Sequence, residues 1–305
     1  MGTPVFALPT LRALIESDYN VRAVVTQPDR PKGRHYIVEF SEVKKLAIEN
    51  NISVLQPDNI RKSPWPKNLE NIGCDLIVTC AFGQILPQSI LDIPKYGTIN
   101  VHASLLPKYR GAAPIQRAIL EGELVTGVTT MLTDIGMDTG DMLLFKETEI
   151  SDLDDASSLH DRLAEMGASL LIDTIKLYEE DKIKPIAQDD SKATYAPMIK
   201  KEEGKLDFNK SAKDIFNHIR AFNPWPGTYT TYCDKVMKIL EASYSDETIN
   251  ENLENGTVTE IYEDRMVVKC QEGSLNIKKL QFEDRKAMQL RQCGHNMACG
   301  IILGQ

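Results

Sequence analysis

The sequence lacks most of the signatures by which a chain declares a tightly bound cofactor. It has no G-x-G-x-x-G opening a helix after a strand and no G-x-x-x-x-G-K-[ST], which argues against a dehydrogenase or a P-loop NTPase. It has no H-E-x-x-H pair for a catalytic metal and no G-x-S-x-G nucleophile turn. None of its six cysteines (Cys74, Cys80, Cys233, Cys270, Cys293, Cys299) forms a C-x-x-C pair. Cys293, His295 and Cys299 lie close together, but the set reads as scattered reduced thiols rather than a metal site. No apolar run approaches the roughly 20 residues of a membrane span, and no basic segment leads into an apolar one as in a secretory leader. A cytoplasmic protein with no membrane partner is the expectation. An excess of positive charge is missing too: 35 Lys and Arg face 44 Asp and Glu, a formal net charge of −9. That total does not advertise nucleic acid. The deficit is uneven, because residues 200–305 carry 15 basic and 16 acidic side chains whereas residues 1–199 carry 20 and 28. A nearly neutral second half can still turn a basic face to phosphates.

What is present is an ordinary globular composition over 305 residues, 42% hydrophobic and 26% charged, long enough for two domains. The first part alternates apolar strands with amphipathic helices, the pattern of an α/β domain with a mostly parallel, Rossmann-like sheet. Strands are expected over Val21–Thr26, Ile52–Leu55, Asp75–Cys80, Thr126–Thr133 and Met142–Ile150. Ser41 caps a helix reaching about Asn50, Ala112 to Glu121 forms another that stops at Gly122, and a long one runs from about Asp155 to Glu179. The polar, weakly periodic stretch Pro185–Lys201 reads as a linker, dividing the chain into domains 1–184 and 202–305. In the second domain Ser211 caps a helix through Arg220, and five short segments between Thr228 and Leu280 are spaced like the strands of a small β-barrel.

Gly97-Thr98-Ile99-Asn100-Val101-His102 reads as a strand whose alternation puts Ile99 and Val101 on one face and Asn100 and His102 on the other. A neutral amide and an imidazole at a strand's end, before a loop, sit where open α/β sheets place their chemistry. A satisfied buried Asn and His would look the same in isolation. Asp138 follows in the turn-rich loop Asp134–Gly140, within reach of the strand end once a helix and a strand have brought the chain back. An Asn amide can donate to a developing oxyanion. A His can donate to the same oxygen or protonate a leaving nitrogen. An Asp can orient the His or accept a proton from an attacking amine. Asp134 and Asp141 compete for that acidic role.

The surrounding residues settle the choice by resemblance. Thr26-Gln27-Pro28-Asp29-Arg30-Pro31 with Gly33-Arg34, Ala81-Phe82-Gly83-Gln84-Ile85-Leu86-Pro87, Asn100 to Gln116 (NVHASLLPKYRGAAPIQ), Asp138-Thr139-Gly140-Asp141-Met142 and Ala221-Phe222-Asn223-Pro224-Trp225-Pro226-Gly227 follow one another in order along nearly the whole chain. In this the chain resembles the formyltransferases that use 10-formyltetrahydrofolate. The first and last of these stretches point to the branch acting on tRNA. The resemblance implies an OB-like C-terminal barrel and a catalytic set of Asn100, His102 and Asp138. It implies contact with the folate co-substrate through Ser104, Leu105, Leu106 and Pro107, and contact of Arg34 with tRNA. The implied reaction moves a formyl group from 10-formyltetrahydrofolate to the α-amino group of methionyl initiator tRNA, for translation initiation, with no metal and no obligate protein partner. The segment Ser104–Pro107 could instead be a plain connector, and Arg110 could bind an anion or brace its loop. A family loop that usually continues in basic residues here reads His35-Tyr36-Ile37-Val38-Glu39-Phe40, so phosphate contacts there are fewer. The alternatives are a folate-dependent formyltransferase acting on an amino sugar or ribonucleotide, and a non-catalytic RNA- or folate-binding protein. The C-terminal domain argues against the ribonucleotide enzyme, and the complete Asn/His/Asp set against a mere binder.

The sequence opens Met1-Gly2-Thr3-Pro4. In the family the matching Gly-Thr-Pro turn follows a first, central strand. A longer natural N-terminus carrying an apolar strand is therefore expected, since a sheet without it would leave backbone groups unpaired on both neighbours.

Overall fold

The computed structural model describes residues 1–32, 37–247, 252–283 and 285–305. Its packing divides the chain into two units, one of Met1–Pro114, Val125–Glu149 and His160–Ala196, the other of Ile115–Leu124, Ile150–Leu159 and Pro197–Gln305.

In the first unit, strand β1 (Ala23–Val25) pairs in parallel with β2 (Ser53–Leu55), and β3 (Ile77–Thr79) pairs in parallel with β4 (Thr98–His102). Beyond β4 the sheet turns antiparallel, through β5 (Val125–Leu132) and β6 (Met142–Glu149). The unit is thus α/β, with the site strand β4 between a parallel and an antiparallel neighbour. The helix over Glu42–Glu49 starts where the Ser41 hydroxyl accepts from Lys44 N, and Val43 and Ala47 face inward. A helix over Ala7–Glu16 and another over Trp65–Ile72 complete the layers, the latter ending on Gly73 at φ 66°, a left-handed stop that glycine adopts without strain.

Met1 and Gly2 lie between β1 and β3. Gly2 N donates to Val25 O at 2.9 Å, and Cys80 N donates to Met1 O at 2.9 Å. A cavity of about 580 Å³ opens beside them, lined in part by Leu11, Leu14, Val24, Val25, Ile77 and Val78. It touches none of Asn100, His102 and Asp138.

The faces of β4 are divided as alternation requires. Ile99 and Val101 are buried. A Cβ on Gly167 would lie 2.7 Å from Val101 Cγ1, so the long helix Ala156–Glu179 meets that face at a glycine. Residues 185–196 pack within this first unit. They hold a 3₁₀ turn over Asp190–Lys192 and a two-residue strand, Tyr195–Ala196, that runs parallel to Arg110–Gly111.

The second unit is a β domain. Strands β7 (Thr228–Tyr232), β8 (Lys235–Ser245), β9 (Val258–Ile261), β10 (Met266–Lys269) and β11 (Ser274–Phe282) form an antiparallel sheet in the order β7-β8-β11-β10-β9. Strand β12 (Met288–Gln289) adds to β11. Helix Ala212–Ala221, capped by Ser211, lays Ile215 and Ile219 into a core with Met237, Ile239, Val268 and Leu275. Arg220 is buried in this unit and donates to Ser151 O at 2.7 Å and Asp154 O at 3.1 Å. Among the described residues no helix is long and apolar enough to cross a membrane.

Gly127 in β5 tests the tightness of the site's sheet. A Cβ there would collide with the Lys146 carbonyl oxygen and stand 2.6 Å from Leu105 Cδ2. Gly127→Ala is therefore expected to destabilise the protein by about 1–3 kcal/mol, the usual cost of overpacking, measured as a lowered midpoint in chemical unfolding. An unchanged midpoint would show that the β5–β6 pair yields without cost.

Candidate active site

Asn100 and His102 share the face of β4 away from the Ile99/Val101 core, as the strand's period of two requires. The Thr79 hydroxyl on the neighbouring strand donates to Asn100 Oδ1 at 3.0 Å. That bond orients the amide: Oδ1 is engaged as acceptor, and Nδ2 is turned to donate elsewhere. Asn100 is half-buried.

His102 is buried at 6% exposure. Its Nε2 lies 3.0 Å from Tyr109 O. A carbonyl only accepts, so Nε2 carries the hydrogen and Nδ1 is the nitrogen that looks toward the site. Nδ1 is 3.7 Å from Asp138 Oδ2, longer than a direct hydrogen bond. The structure reserves Nε2 for the backbone and leaves proton exchange to Nδ1.

Asp138 comes from the loop between β5 and β6. Its φ of 55° places a non-glycine residue in the left-handed region. Asp138 Oδ2 accepts the Gly111 N–H at 2.8 Å, which aims the carboxylate at the end of β4. The competing Asp134 is consumed in shaping the same loop: its Oδ1 accepts from Gly136 N at 3.0 Å and from the Thr139 hydroxyl at 2.8 Å, in the exposed rim. Asp141 is exposed, and its carbonyl accepts from Leu132 N. Of the three acids, Asp138 is the one that lies opposite the imidazole, 3.7 Å from Nδ1.

The segment Ser104–Pro107 is held by hydrogen bonds to Lys108, Thr129 and Thr194. The Ser104 hydroxyl donates to Lys108 O at 2.6 Å, and Ser104 O accepts from the Thr129 hydroxyl at 2.7 Å. Leu106 N donates to Thr129 Oγ1 at 3.2 Å, and Pro107 O accepts from Thr194 N. What remains for a ligand is shape: Leu105 is half-buried and Leu106 buried. Arg34 lies outside the described residues. Arg110 is a brace. It is 2% exposed, and its guanidinium is bonded to Gln188 and Asp190.

Gln188, Thr194 and Thr129 are parts of this architecture that sequence reasoning missed. Thr194 receives Tyr109 N on its hydroxyl at 2.8 Å and Arg110 N on its carbonyl at 2.9 Å. Side chains that bond backbone across 85 positions leave no periodic mark in a sequence.

An α/β sheet that gathers a neutral amide donor, an imidazole and a carboxylate at one strand end can serve group transfer at a carbonyl carbon. Comparison with known proteins gives the particular group. The N-terminal model of the formyl transferase family matches residues 1–175, and the model of the formyl transferase C-terminal domain matches residues 198–296. The methionyl-tRNA formyltransferase of Acetivibrio thermocellus is 49% identical, with 100% of this chain and 98% of that protein covered. That of Clostridium novyi is 50% identical, covering 96% of this chain and 94% of its own. The fold recurs in a solved sugar 3N-formyl transferase, at TM-score 0.68 and 23% identity, covering 93% of this chain and 97% of that one. It recurs also in an N-formyltransferase from Helicobacter canadensis, at TM-score 0.67 and 21% identity, covering 92% and 97%. The chain belongs to the formyl transferase family and is a one-carbon transferase.

Asn100→Ala and His102→Ala are each expected to lower transfer on the order of 10²–10³-fold, the usual cost of losing one aligned donor, while the protein keeps its cooperative melt. Asp138→Asn should be at least as damaging as His102→Ala, and Asp134→Asn mild. Steady-state rates of the four purified variants decide it. A ranking with Asp134 above Asp138 would move the acid to the other end of the loop.

Proposed function

We propose that this chain transfers the formyl group of 10-formyltetrahydrofolate to the α-amino group of methionyl initiator tRNA, the step that prepares the initiator for translation. The observation that carries the reading is the placement of Asp138 opposite His102 Nδ1, beside an Asn100 amide whose oxygen is already engaged, in a chain nearly half identical over its full length to methionyl-tRNA formyltransferases.

The chemistry follows from these residues. The neutral amine attacks the formyl carbon, a C–N bond forms, and the carbonyl electron pair moves to oxygen. Asn100 Nδ2 is the donor available to that oxyanion. The oxyanion's electron pair then re-forms the carbonyl, the carbon–nitrogen bond to the folate breaks, and the leaving nitrogen takes up the proton that Asp138 received from the amine. Asp138 accepts the proton the amine sheds. His102, with Nε2 fixed on Tyr109 O, exchanges a proton only through Nδ1 and stabilises the carboxylate when that nitrogen is protonated. No metal enters the scheme. The turn Ser104–Pro107 supplies the wall against which the flat folate rests.

In the same reading, residues 1–184 hold the catalytic and folate-binding functions and residues 202–305 an OB-like barrel that adds tRNA affinity. Arg34 contacts RNA phosphate. The protein acts in the cytoplasm and needs no obligate protein partner. The support for tRNA over an amino sugar is the identity of the full-length relatives, which far exceeds that of the sugar-acting neighbours.

The deciding assay offers 10-formyltetrahydrofolate with methionyl initiator tRNA beside free amino sugars and nucleotide-linked amino sugars. Formylated methionyl-tRNA should form with a kcat/KM at least a hundredfold above any sugar. The KM for tRNA should rise steeply with salt while the KM for the folate stays level, because phosphate contacts release counterions. Preferred formylation of a sugar would overturn the assignment.

A further inference from the structure

The side-chain amide of Gln188 is saturated on all sides. Its Oε1 accepts from Arg110 Nε at 3.0 Å and from Arg110 Nη2 at 2.8 Å. Its Nε2 donates to Asp138 O at 2.8 Å and to Gly140 O at 2.7 Å. The orientation of the amide follows from chemistry: a guanidinium has only donors and a carbonyl only accepts, so oxygen and nitrogen can be placed in one way. One side chain therefore ties a buried cation to the two ends of the turn Asp138–Gly140.

That turn needs a tie. Asp138 holds φ at 55°, a conformation unfavourable for a residue with a Cβ. Its own carboxylate reaches Gly111 N, but nothing in that bond fixes the peptide carbonyls of the turn. The anchor on the other side is firm. Arg110 Nη2 also donates to Asp190 Oδ1 at 2.7 Å, and the chain on either side of Gln188 is fastened to the same unit. Ile186 pairs with Met142, Thr194 bonds Tyr109 and Arg110, and Ala196 O receives Ala112 N and Ala113 N.

We propose that Gln188 is a positioning residue for the transfer reaction, setting the approach of the Asp138 carboxylate to His102 Nδ1 by tethering the Asp138–Gly140 turn to the buried Arg110. It touches neither the imidazole nor, on this geometry, the reacting atoms. It acts through Asp138. The inference rests on the reading of Asp138 as the catalytic carboxylate, and not on the identity of the formyl acceptor.

Gln188→Glu separates the two halves of the amide. The carboxylate keeps acceptors for Arg110 and so preserves the anchor, but it has no hydrogens for Asp138 O and Gly140 O and sets its charge against them. The full chain should keep its cooperative melt. Its kcat should fall at least tenfold, with the KM for the folate and for the acceptor unchanged within twofold. In an Asp138→Ala background the same change should cost nothing further, since the residue it acts through is gone. Independently of any substrate, the ¹⁵N resonance of His102 Nδ1 should move in Gln188→Glu while that of the half-exposed His160 stays in place. This last measurement stands even if the acceptor proves not to be tRNA, so failure of the functional reading and failure of the tether are distinguishable. If Gln188→Glu does not fold, Gln188→Asn, which keeps the amide but is one methylene short, carries the same comparisons. A kcat within twofold of wild type, costs that multiply with Asp138→Ala, or a His102 signal that does not move would each overturn the proposal.

Discussion

The site depends first on the register of one strand. Thr98–His102 is fixed on one side by parallel pairing, Thr79 opposite Asn100, and on the other by antiparallel pairing, Asn100 opposite Met131 and His102 opposite Thr129. A slip of one residue would send Asn100 and His102 into the face that now holds Ile99 and Val101, and those two side chains to the loops. Burial of the apolar pair is what forbids the slip. The same register delivers Thr79 to the Asn100 oxygen and places the Thr129 hydroxyl between Leu106 N and Ser104 O. Orientation of the Asn100 amide and shape of the following turn are thus two outcomes of one hydrophobic constraint.

The loops then supply what a strand cannot. A β-strand presents side chains on two faces only, so a third group aimed at the same point must come from a chain that bends back. The Asp134–Gly140 loop does this by dividing labour between its acids. Asp134 gives up its carboxylate to the loop's own N–H and hydroxyl groups, which stiffens the rim. Asp138, in the left-handed region, is left with one backbone donor and an open approach to the imidazole. Two carboxylates of identical intrinsic chemistry have different tasks because one is saturated locally and the other is not.

This division explains what was legible in the sequence. The strand with Asn100 and His102, the caps at Ser41 and Ser211, and the extended segments of the β domain follow from local rules, periodicity and capping, and they stand where those rules put them. Asp138 over Asp134 came from resemblance alone, since both sit in a turn-rich stretch with the same residue type. The bonding of Ser104–Pro107 to Lys108, Thr129 and Thr194 was not legible. Whether a hydroxyl faces a ligand or a carbonyl four residues on depends on backbone angles that composition does not encode. Residues 185–196 carry no period and read as polar connection, yet Gln188 and Thr194 meet residues about 50 to 85 positions away. Contacts of that range are tertiary by nature, and one amide among many polar side chains gives no sign that its four hydrogen-bonding positions are filled.

Arg110 shows the converse, a residue whose sequence meaning was open until its surroundings were known. A cation shortly beyond strand β4 could have bound an anionic ligand. Buried at 2% exposure, it would carry a large desolvation penalty if left unpaired. Its neighbours meet that need with one charged oxygen on the exposed Asp190 and one neutral oxygen on Gln188. A second carboxylate in place of Gln188 would satisfy the guanidinium at least as well, but it could not at the same time hold two carbonyls. An amide is the side chain that offers acceptors on one end and donors on the other within a single rigid plane. Its position between a guanidinium and a pair of peptide oxygens therefore reflects a demand for both at once. In the proposed reading the cation gives the turn carrying Asp138 a fixed point to hang from, through Gln188, and leaves the reacting carbonyl to a neutral donor, the amide of Asn100.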